Sequence, residues 1–278
     1  MTQSKLGFEQ PEAKFSNWRE GLRQSWKDYL VDTLGLPVSV ALERAEEEIN
    51  GIQAKQHCDR LESAAKMKFK DKKVLDLGSG HGGMALEIAK RGGNVFGLEP
   101  CKPWRIIAQE RAKELSLDNK VQFLDGNAEE LPFETNSFDY IVSLQVLEHV
   151  ASPRKVIEEI KRVLHPQGMA YISCENYLAF REQHYRLPWL PLLPKSIASL
   201  YLKLNNRDPQ FLNEHVIYTT CPQLIWDFLN VGLWSEYWPK KYQKDNVFLC
   251  YLLLLLSQRR TLFKVGFSHL FKHRANWN

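Results

Sequence analysis

The sequence has no apolar run that approaches the ~20 residues a membrane-crossing helix needs. The longest, Val247 to Leu256, reads as a buried strand. The opening stretch, Met1 to Phe15, lacks a basic segment followed by an apolar one, so secretion is not expected and the chain reads as cytoplasmic. Cysteine is sparse. Cys58, Cys101, Cys174, Cys221 and Cys250 are scattered, and none forms a Cys-x-x-Cys pair. That argues against a zinc knuckle or a redox motif and fits reduced thiols. Acids are missing from residues 258–278, where Arg259, Arg260, Lys264, Lys272 and Arg274 carry +5 of a total of +4. The rest therefore sums to −1, which excludes a polyanion-binding body and leaves the tail as the place for any attraction to anionic lipid. With 44% hydrophobic and 25% charged residues, disorder of the whole chain is excluded.

Three zones are present. Residues 1–70 are helical in pattern, with Trp18, Leu22, Trp26, Tyr29 and Leu30 at three- and four-residue steps and a second helical run from Val38 to Met67. They read as a helical cap on the next domain, or as a lid over a ligand. Residues 71–257 open with alternating strands and helices. Strands are expected at Val74–Gly78, Asn94–Leu98, Val121–Leu124, Phe138–Leu144 and Met169–Cys174. Helices are expected at Gly82–Arg91, Pro103–Leu115 and from Pro153 to near Leu164, the last with Ser152 as N-cap. This order implies an α/β fold with a mostly parallel sheet and helices on both faces. Within this zone, 177–219 reads as an irregular insert, because Pro188, Pro191 and Pro194 disfavour regular helix. A helix at Pro222–Asn230 follows, and then a hairpin of Leu233–Trp238 with Val247–Leu256. Residues 258–278 read as a basic tail.

Chemistry concentrates at four motifs. Asp76-Leu77-Gly78-Ser79-Gly80-His81-Gly82-Gly83 runs from a strand through glycines into a helix, which lets backbone N–H groups approach a ligand. The glycine spacing alone also matches a dinucleotide fingerprint. Asp76 favours a ligand carrying an ammonium group instead. Glu99, closing the next strand, can accept hydrogen bonds from ribose hydroxyls of either an adenosyl ligand or NAD. The third motif is Gly126 to Phe133 followed by Ser137 to Tyr140. The fourth is Leu144-Gln145-Val146-Leu147-Glu148-His149-Val150.

With these four in order, the chain resembles the class I S-adenosylmethionine-dependent methyltransferases, most closely the group of ubiquinone and menaquinone biosynthesis methyltransferases. The resemblance implies a Rossmann-like fold with a seven-stranded sheet in the order 3-2-1-4-5-7-6, strand seven antiparallel, an N-terminal helical cap and a lid-like insert after strand five. It implies S-adenosylmethionine as cofactor, held at the methionine end by Asp76, Gly78, Ser79, Gly80 and Gly82, and at the ribose by Glu99. Pro100 and Cys101 would flank the adenine, with Asn127 and Ala128 beside it. Leu144 and Gln145 would lie under the sulfonium. Some relatives place an acid where Gln145 stands and bind a divalent metal through the motif. Gln145 is a poorer ligand for a hard cation, so no metal is expected.

His149 reads as a general base or as a structural histidine at the strand end. His184 and Tyr185 are the other catalytic candidates. Tyr177, Arg181, His184, Tyr185 and His215 are candidates for binding the acceptor, and His215 reads equally as a cap of the following helix. The reaction implied is O- or C-methylation of a small or medium organic molecule, including a lipid-like or natural-product intermediate. Residues 186–204 and the basic tail mix bulky apolar residues with cations, as a peripheral membrane contact at the inner face of a membrane does. Nucleic acid is not expected as a partner, since Leu144 to His149 replaces the tetrapeptide of base amino methylation. The alternatives are a non-catalytic S-adenosylmethionine-binding regulatory protein and an NAD(P)-dependent oxidoreductase, which would leave Asp76 and the third and fourth motifs unexplained.

Overall fold

The computed structural model of the chain describes residues 17–235 and 267–273. Its centre is a seven-stranded sheet built from β1 (Lys73–Leu77), β2 (Asn94–Leu98), β3 (Val121–Leu124), β4 (Phe138–Leu144), β5 (Leu164–Cys174), β8 (Leu233–Ser235) and β9 (Phe267–His273). The order is β3-β2-β1-β4-β5-β9-β8. The first five pair in parallel, and β9 is antiparallel to both β5 and β8. This is the expected arrangement, with the last of the described strands second from the edge. Two short strands, β6 (Arg181–Glu182) and β7 (Leu187–Pro188), form a separate hairpin.

The central strands are short and apolar because both faces are covered. On one face α6 (Pro153–Val163) and α9 (Cys221–Asn230) bury Val156, Ile160 and Phe228 against Phe138 and Ile141. On the other, α3 (Ile52–Ala64), α4 (Gly83–Lys90) and α5 (Lys102–Glu114) bury Cys58, Ile88 and Ala108 with Phe69 and Val142. Truncating Phe138 or Phe228, each 0% exposed, to alanine would cost about 3–5 kcal/mol. Helix starts follow local chemistry. Ser152 Oγ accepts from Lys155 N ahead of α6, and Thr220 Oγ1 from Gln223 N ahead of α9, each with proline in the first turn. Thr220 therefore holds the capping position for which His215 was a candidate.

The N-terminal zone forms α1 (Trp18–Lys27), a π-helical turn (Asp28–Thr33), α2 (Val38–Ile49) and α3, the run from Val38 being interrupted at Asn50 and Gly51. The insert is more regular than its prolines imply. It holds α7 (Lys195–Leu204) and α8 (Gln210–His215). Pro194 caps α7 instead of breaking it, because a residue at a helix start needs no intrahelical N–H bond. Cap and insert share one core, in which Leu34 and Leu36 pack with Tyr185, Leu202, Phe211 and Leu212.

The final hairpin also differs from expectation. Val247–Leu256 lies outside the described residues, and the strand beside β5 is Phe267–His273, within the segment read as tail. A continuous apolar run was read as the strand. The strand found instead holds three apolar residues, Phe267, Leu270 and Phe271, among polar ones.

Candidate functional site

The carboxyl ends of β1, β2, β4 and β5 bring the motifs together. Asp76, in β1, pairs with Gly97 of β2 and Val142 of β4 and is 2% exposed. Its Oδ2 accepts from Ala85 N at 3.0 Å, which ties β1 to the first turn of α4. Burial pushes its carboxyl up to about 7, against the Ala85 hydrogen bond and with help from Glu99. The loop after it turns at Gly78, with φ +72°, and a Cβ there would overlap the Val146 side chain. Gly80 N donates to Glu99 Oε2 at 2.9 Å, and Cys101 N donates to Glu99 Oε1 at 2.9 Å. Burial raises the Glu99 carboxyl from its ordinary value, against the hydrogen bonds from Cys101 and Gly80. Arg105 donates to the carbonyls of Glu99 and Pro100, at 2.5 and 2.8 Å, and fixes the turn after β2. A Cβ on Gly97 would meet Phe123 at 2.6 Å and Ser79 Oγ at 2.9 Å, so this strand glycine admits the loop. Gly97 was not among the sequence candidates, although a glycine inside a strand pattern marks such a close approach.

Asn127 and Ala128 lie on the loop after β3. Asn127 Oδ1 accepts from Glu129 N at 2.9 Å, so its oxygen already holds the loop, and Ala128 is buried. The cap reaches the glycine loop through His81. Its Nε2 is 2.7 Å from Ser25 Oγ and its Nδ1 is 3.3 Å from Glu48 Oε2. Arg111 joins them, donating to Glu48 Oε1 at 3.0 Å and to His81 O at 2.6 Å. Burial disfavours charge on Glu48, but His81 and Arg111 outweigh it and hold the carboxyl down at about 2.

A second cluster stands at the ends of β4 and β5. Gln145, left-handed at φ +56°, donates its backbone N–H to Ser173 O at 2.7 Å. With its amide nitrogen toward the carboxylates it donates to Glu148 Oε1 at 2.7 Å and Glu175 Oε1 at 3.0 Å. Leu144, the last residue of β4, is half-buried. Glu148 is fully buried, which pushes its carboxyl up to about 7. Glu175 rises to about 8, driven by burial and by Glu148 and Glu182 against the pull of His184. His149 donates from Nδ1 to His215 O at 2.8 Å, and burial beside His184 lowers its ring to about 3. His184 lies in the β6–β7 turn with its ring 5.2 Å from that of His149. Burial works to lower it, yet Glu182 Oε1 at 2.7 Å from its Nδ1, with Glu175 and Glu148, holds it at about 9.

The structure thus unites His149 and His184, and brings Tyr177 in through its hydroxyl, which donates to Glu182 Oε1 at 3.2 Å. His215 contributes its carbonyl. Tyr185 is committed elsewhere. Its hydroxyl donates to Asp208 O at 2.7 Å and accepts from Leu212 N at 3.3 Å, inside the core shared by cap and insert. Arg181 is exposed. Glu175 and Glu182 were not singled out as candidates in the sequence. The signal available was an acid directly after the apolar end of β5, and another buried in a two-residue strand.

Residues 75–172 match a family model described as a methyltransferase domain. This segment is a class I methyltransferase domain. Such domains use S-adenosylmethionine as methyl donor, which sets aside the dinucleotide reading of the glycine loop. The chain is 30% identical over 129 residues to a ubiquinone biosynthesis O-methyltransferase of Azorhizobium caulinodans, covering 44% of this chain and 50% of that protein. It is 33% identical over 136 residues to a demethylmenaquinone methyltransferase of Oceanobacillus iheyensis, covering 46% and 57%. The chain spans about half the length of these curated relatives. Among solved structures, a putative sarcosine dimethylglycine methyltransferase from Galdieria sulphuraria shares the fold. Its TM-score is 0.54 at 17% identity, over 86% of this chain and 88% of that one. The methyltransferase domain holds Asp76 through His149, whereas Glu175, Glu182 and His184 lie beyond its matched boundary.

Proposed function

We propose that the whole chain is an S-adenosylmethionine-dependent methyltransferase acting on a small or medium organic acceptor at oxygen or carbon. The observation that carries this is the placement of the Asp76–glycine loop–Glu99 unit beside the buried Glu148–His149–His184 cluster, at one edge of the sheet. Asp76 and the N–H groups of the loop suit the methionine end, and Glu99 suits the ribose. Pro100, Cys101, Asn127 and Ala128 border the adenine side, and Leu144 and Gln145 the sulfonium side. The cofactor supplies a methyl group that is already activated. The protein's share is to hold an acceptor in line and exclude water, worth at most ~7–11 kcal/mol. The cap and insert, joined by a common core, cover that edge. An acceptor hydroxyl or enol also has a proton to lose, and the neutral His149 ring is the imidazole of the cluster that can receive it, since the neighbouring carboxylates keep His184 protonated. Titration calorimetry with S-adenosylmethionine, and with NAD and NADP as controls, tests the proposal. Binding of the first alone, with S-adenosylhomocysteine released on incubation with a metabolite or lipid extract, is expected. Preference for NAD would overturn it.

A lipid-like acceptor reached at a membrane surface is favoured by α7. Ala198 and Leu202 are buried, while Ile197, Leu200 and Leu204 are exposed on another face, near Leu190 and Leu192, also exposed. Arg186 and Lys203 are exposed in the same segment, and residues 183–207 contain no acid. That combination suits anionic lipid. Among the described residues no helix is long and apolar enough to cross a membrane. Co-sedimentation with anionic but not neutral vesicles, lost in Leu200→Glu, is expected. Self-association of the chain through this face, with no vesicle binding, would sink the idea.

A further inference from the structure

We propose that the acceptor carries a protonated amine, which is anchored by Glu148 and Glu175 beside the ring of Tyr29. The amine is the anchor, and the methylated atom is a separate one. Calling the bound molecule an acceptor rests on the methyl-transfer reading, whereas the binding of an organic cation here does not. Glu148 lies in the turn after β4, Glu175 directly after β5, and Tyr29 in the cap, so the juxtaposition is a product of the fold.

The cluster holds more carboxyl than cation. Glu148, Glu175 and Glu182 are all buried, and His184 is the cation that faces the three of them. Gln145 supplies no second charge. Its neutral amide donates to Glu148 Oε1 at 2.7 Å and to Glu175 Oε1 at 3.0 Å. Burial pushes both carboxyls up, and repulsion from Glu148 and Glu182 adds to the rise of Glu175. Glu148 Oε1 also accepts from Glu175 N at 3.2 Å, but its Oε2 is buried with no hydrogen-bond partner among the described residues. A buried carboxylate oxygen left bare is costly. A protonated amine brings both the N–H donor and the charge that this oxygen lacks.

Aromatic side chains complete the surround. Tyr29 lies in the π-helical turn Asp28–Thr33, where Leu34 N donates to Tyr29 O at 3.2 Å. Such a turn re-aims side chains relative to a regular helix and recurs at functional sites. Here it brings Tyr29 to the acids. Burial raises its hydroxyl well above the ordinary tyrosine value, and Glu182, Glu148 and Glu175 add to the rise. The Phe211 ring meets those of Tyr29, His149 and His184, with centroids 5.5, 5.7 and 5.3 Å apart. Tyr177, whose hydroxyl donates to Glu182, stacks on Tyr218 at 4.4 Å. Carboxylates set among aromatic faces favour a cation with apolar substituents. A neutral acceptor would use the faces and leave the surplus acids uncompensated.

The test titrates the full chain, in chelator and at neutral pH, with size-matched pairs of probes followed by ligand-observed NMR. The pairs are phenethylamine with phenylethanol, and cyclohexylamine with cyclohexanol. S-adenosylhomocysteine is titrated separately into the same protein, so that failure of the methyl-transfer reading shows there and failure of this one shows in the amines. Each amine is expected to bind about tenfold or more tighter than its neutral partner, as one charge-assisted hydrogen bond allows. Glu148→Gln and Glu175→Gln should each remove most of that preference, and Tyr29→Leu should weaken both amines severalfold. Circular dichroism reports whether each variant keeps its fold. Should an acid variant not fold, the wild-type comparison within each pair decides unaided. Equal binding within the pairs, or no binding of either amine at millimolar concentration, would overturn the proposal. So would a preference that survives in folded Glu148→Gln and Glu175→Gln, which would put the cation elsewhere.

Discussion

Glu99 Oε2 accepts a hydrogen bond from Gly80 N at 2.9 Å, so the acid that closes β2 and the glycine loop that leaves β1 are one unit. The same carboxylate anchors Cys101 N through its other oxygen. A carboxylate has about four acceptor positions, so two remain for hydroxyl donors.

Glu99→Ala should therefore weaken S-adenosylhomocysteine binding by tenfold or more. Each charge-assisted hydrogen bond is worth roughly 1.5–3 kcal/mol, and about 1.4 kcal/mol is tenfold in affinity. The loss has two sources, the ribose bonds and the loosened loop. Glu99→Gln keeps one acceptor oxygen and should fall between. Calorimetry on protein shown folded by circular dichroism is the measurement, and unchanged affinity in Glu99→Ala would displace the ribose site.

Gly78→Ala separates two costs that coincide at one glycine. A Cβ at φ +72° is strained, by roughly 1–2 kcal/mol, and it also overlaps Val146. The variant should unfold at lower urea and lose cofactor affinity. Gly78→Ala with Val146→Ala should recover the overlap part and leave the backbone part. If the double variant is no more stable than the sum of the two single ones, the contact with Val146 carries no weight.

Much of this site was legible in the sequence because backbone-binding chemistry has fixed spacing. Gly78, Gly80 and Glu99 sit at the ends of consecutive parallel strands, and a strand of four or five apolar residues bounded by glycine fixes where each end falls. Phe138–Leu144 and Asn94–Leu98 have the expected bounds. The acceptor side was legible only in part. His184 meets His149 because of a two-residue hairpin, and no periodicity announces so short a strand. Glu182 is buried within that hairpin, where its partners are a backbone N–H and two side chains that the sequence does not place. The last strand was misplaced for a different reason. Length of apolar run was taken as the signal, while Phe267–His273 carries only three apolar residues and neither a long run nor an alternation.

Asp76 should make cofactor binding pH-dependent. Its carboxyl is pushed up to about 7 by burial, with Glu99 adding to the shift. An acid whose folded value is raised above its unfolded value of 3.8 works against the folded state as pH climbs from about 4 to 7, and fully above that. A ligand ammonium beside it reverses the preference and favours the ionised form. S-adenosylhomocysteine should then bind more tightly at pH 8 than at pH 6, with proton release near pH 6.5 measurable in buffers of different ionisation enthalpy. Asp76→Asn should bind weakly and without this dependence. A wild-type affinity that is flat over pH 6–8 would mean the ammonium is held elsewhere.

The cap is held to the glycine loop by Glu48, Arg111 and His81, and that latch should be acid-sensitive. Glu48 is held at about 2 in the folded chain, below its ordinary 4.5. A depressed carboxylate contributes stability that is present above the unfolded value and is lost as pH falls through the folded one. The window is therefore pH 4.5 down to 2, and the contribution is roughly 3 kcal/mol at one unit per ~1.4 kcal/mol. Glu48→Gln leaves Arg111, 4% exposed, without its counter-charge, and breaking such a buried pair costs about 3–5 kcal/mol. Urea unfolding at pH 7 should show that full gap between wild type and variant, and the gap should narrow at pH 3, where Glu48 is protonated in the unfolded chain while still ionised in the folded one. Cofactor affinity should fall with it at pH 7, because Arg111 also holds the His81 carbonyl within the glycine loop. A gap of equal size at both pH values would show that Glu48 acts through packing and not through its charge.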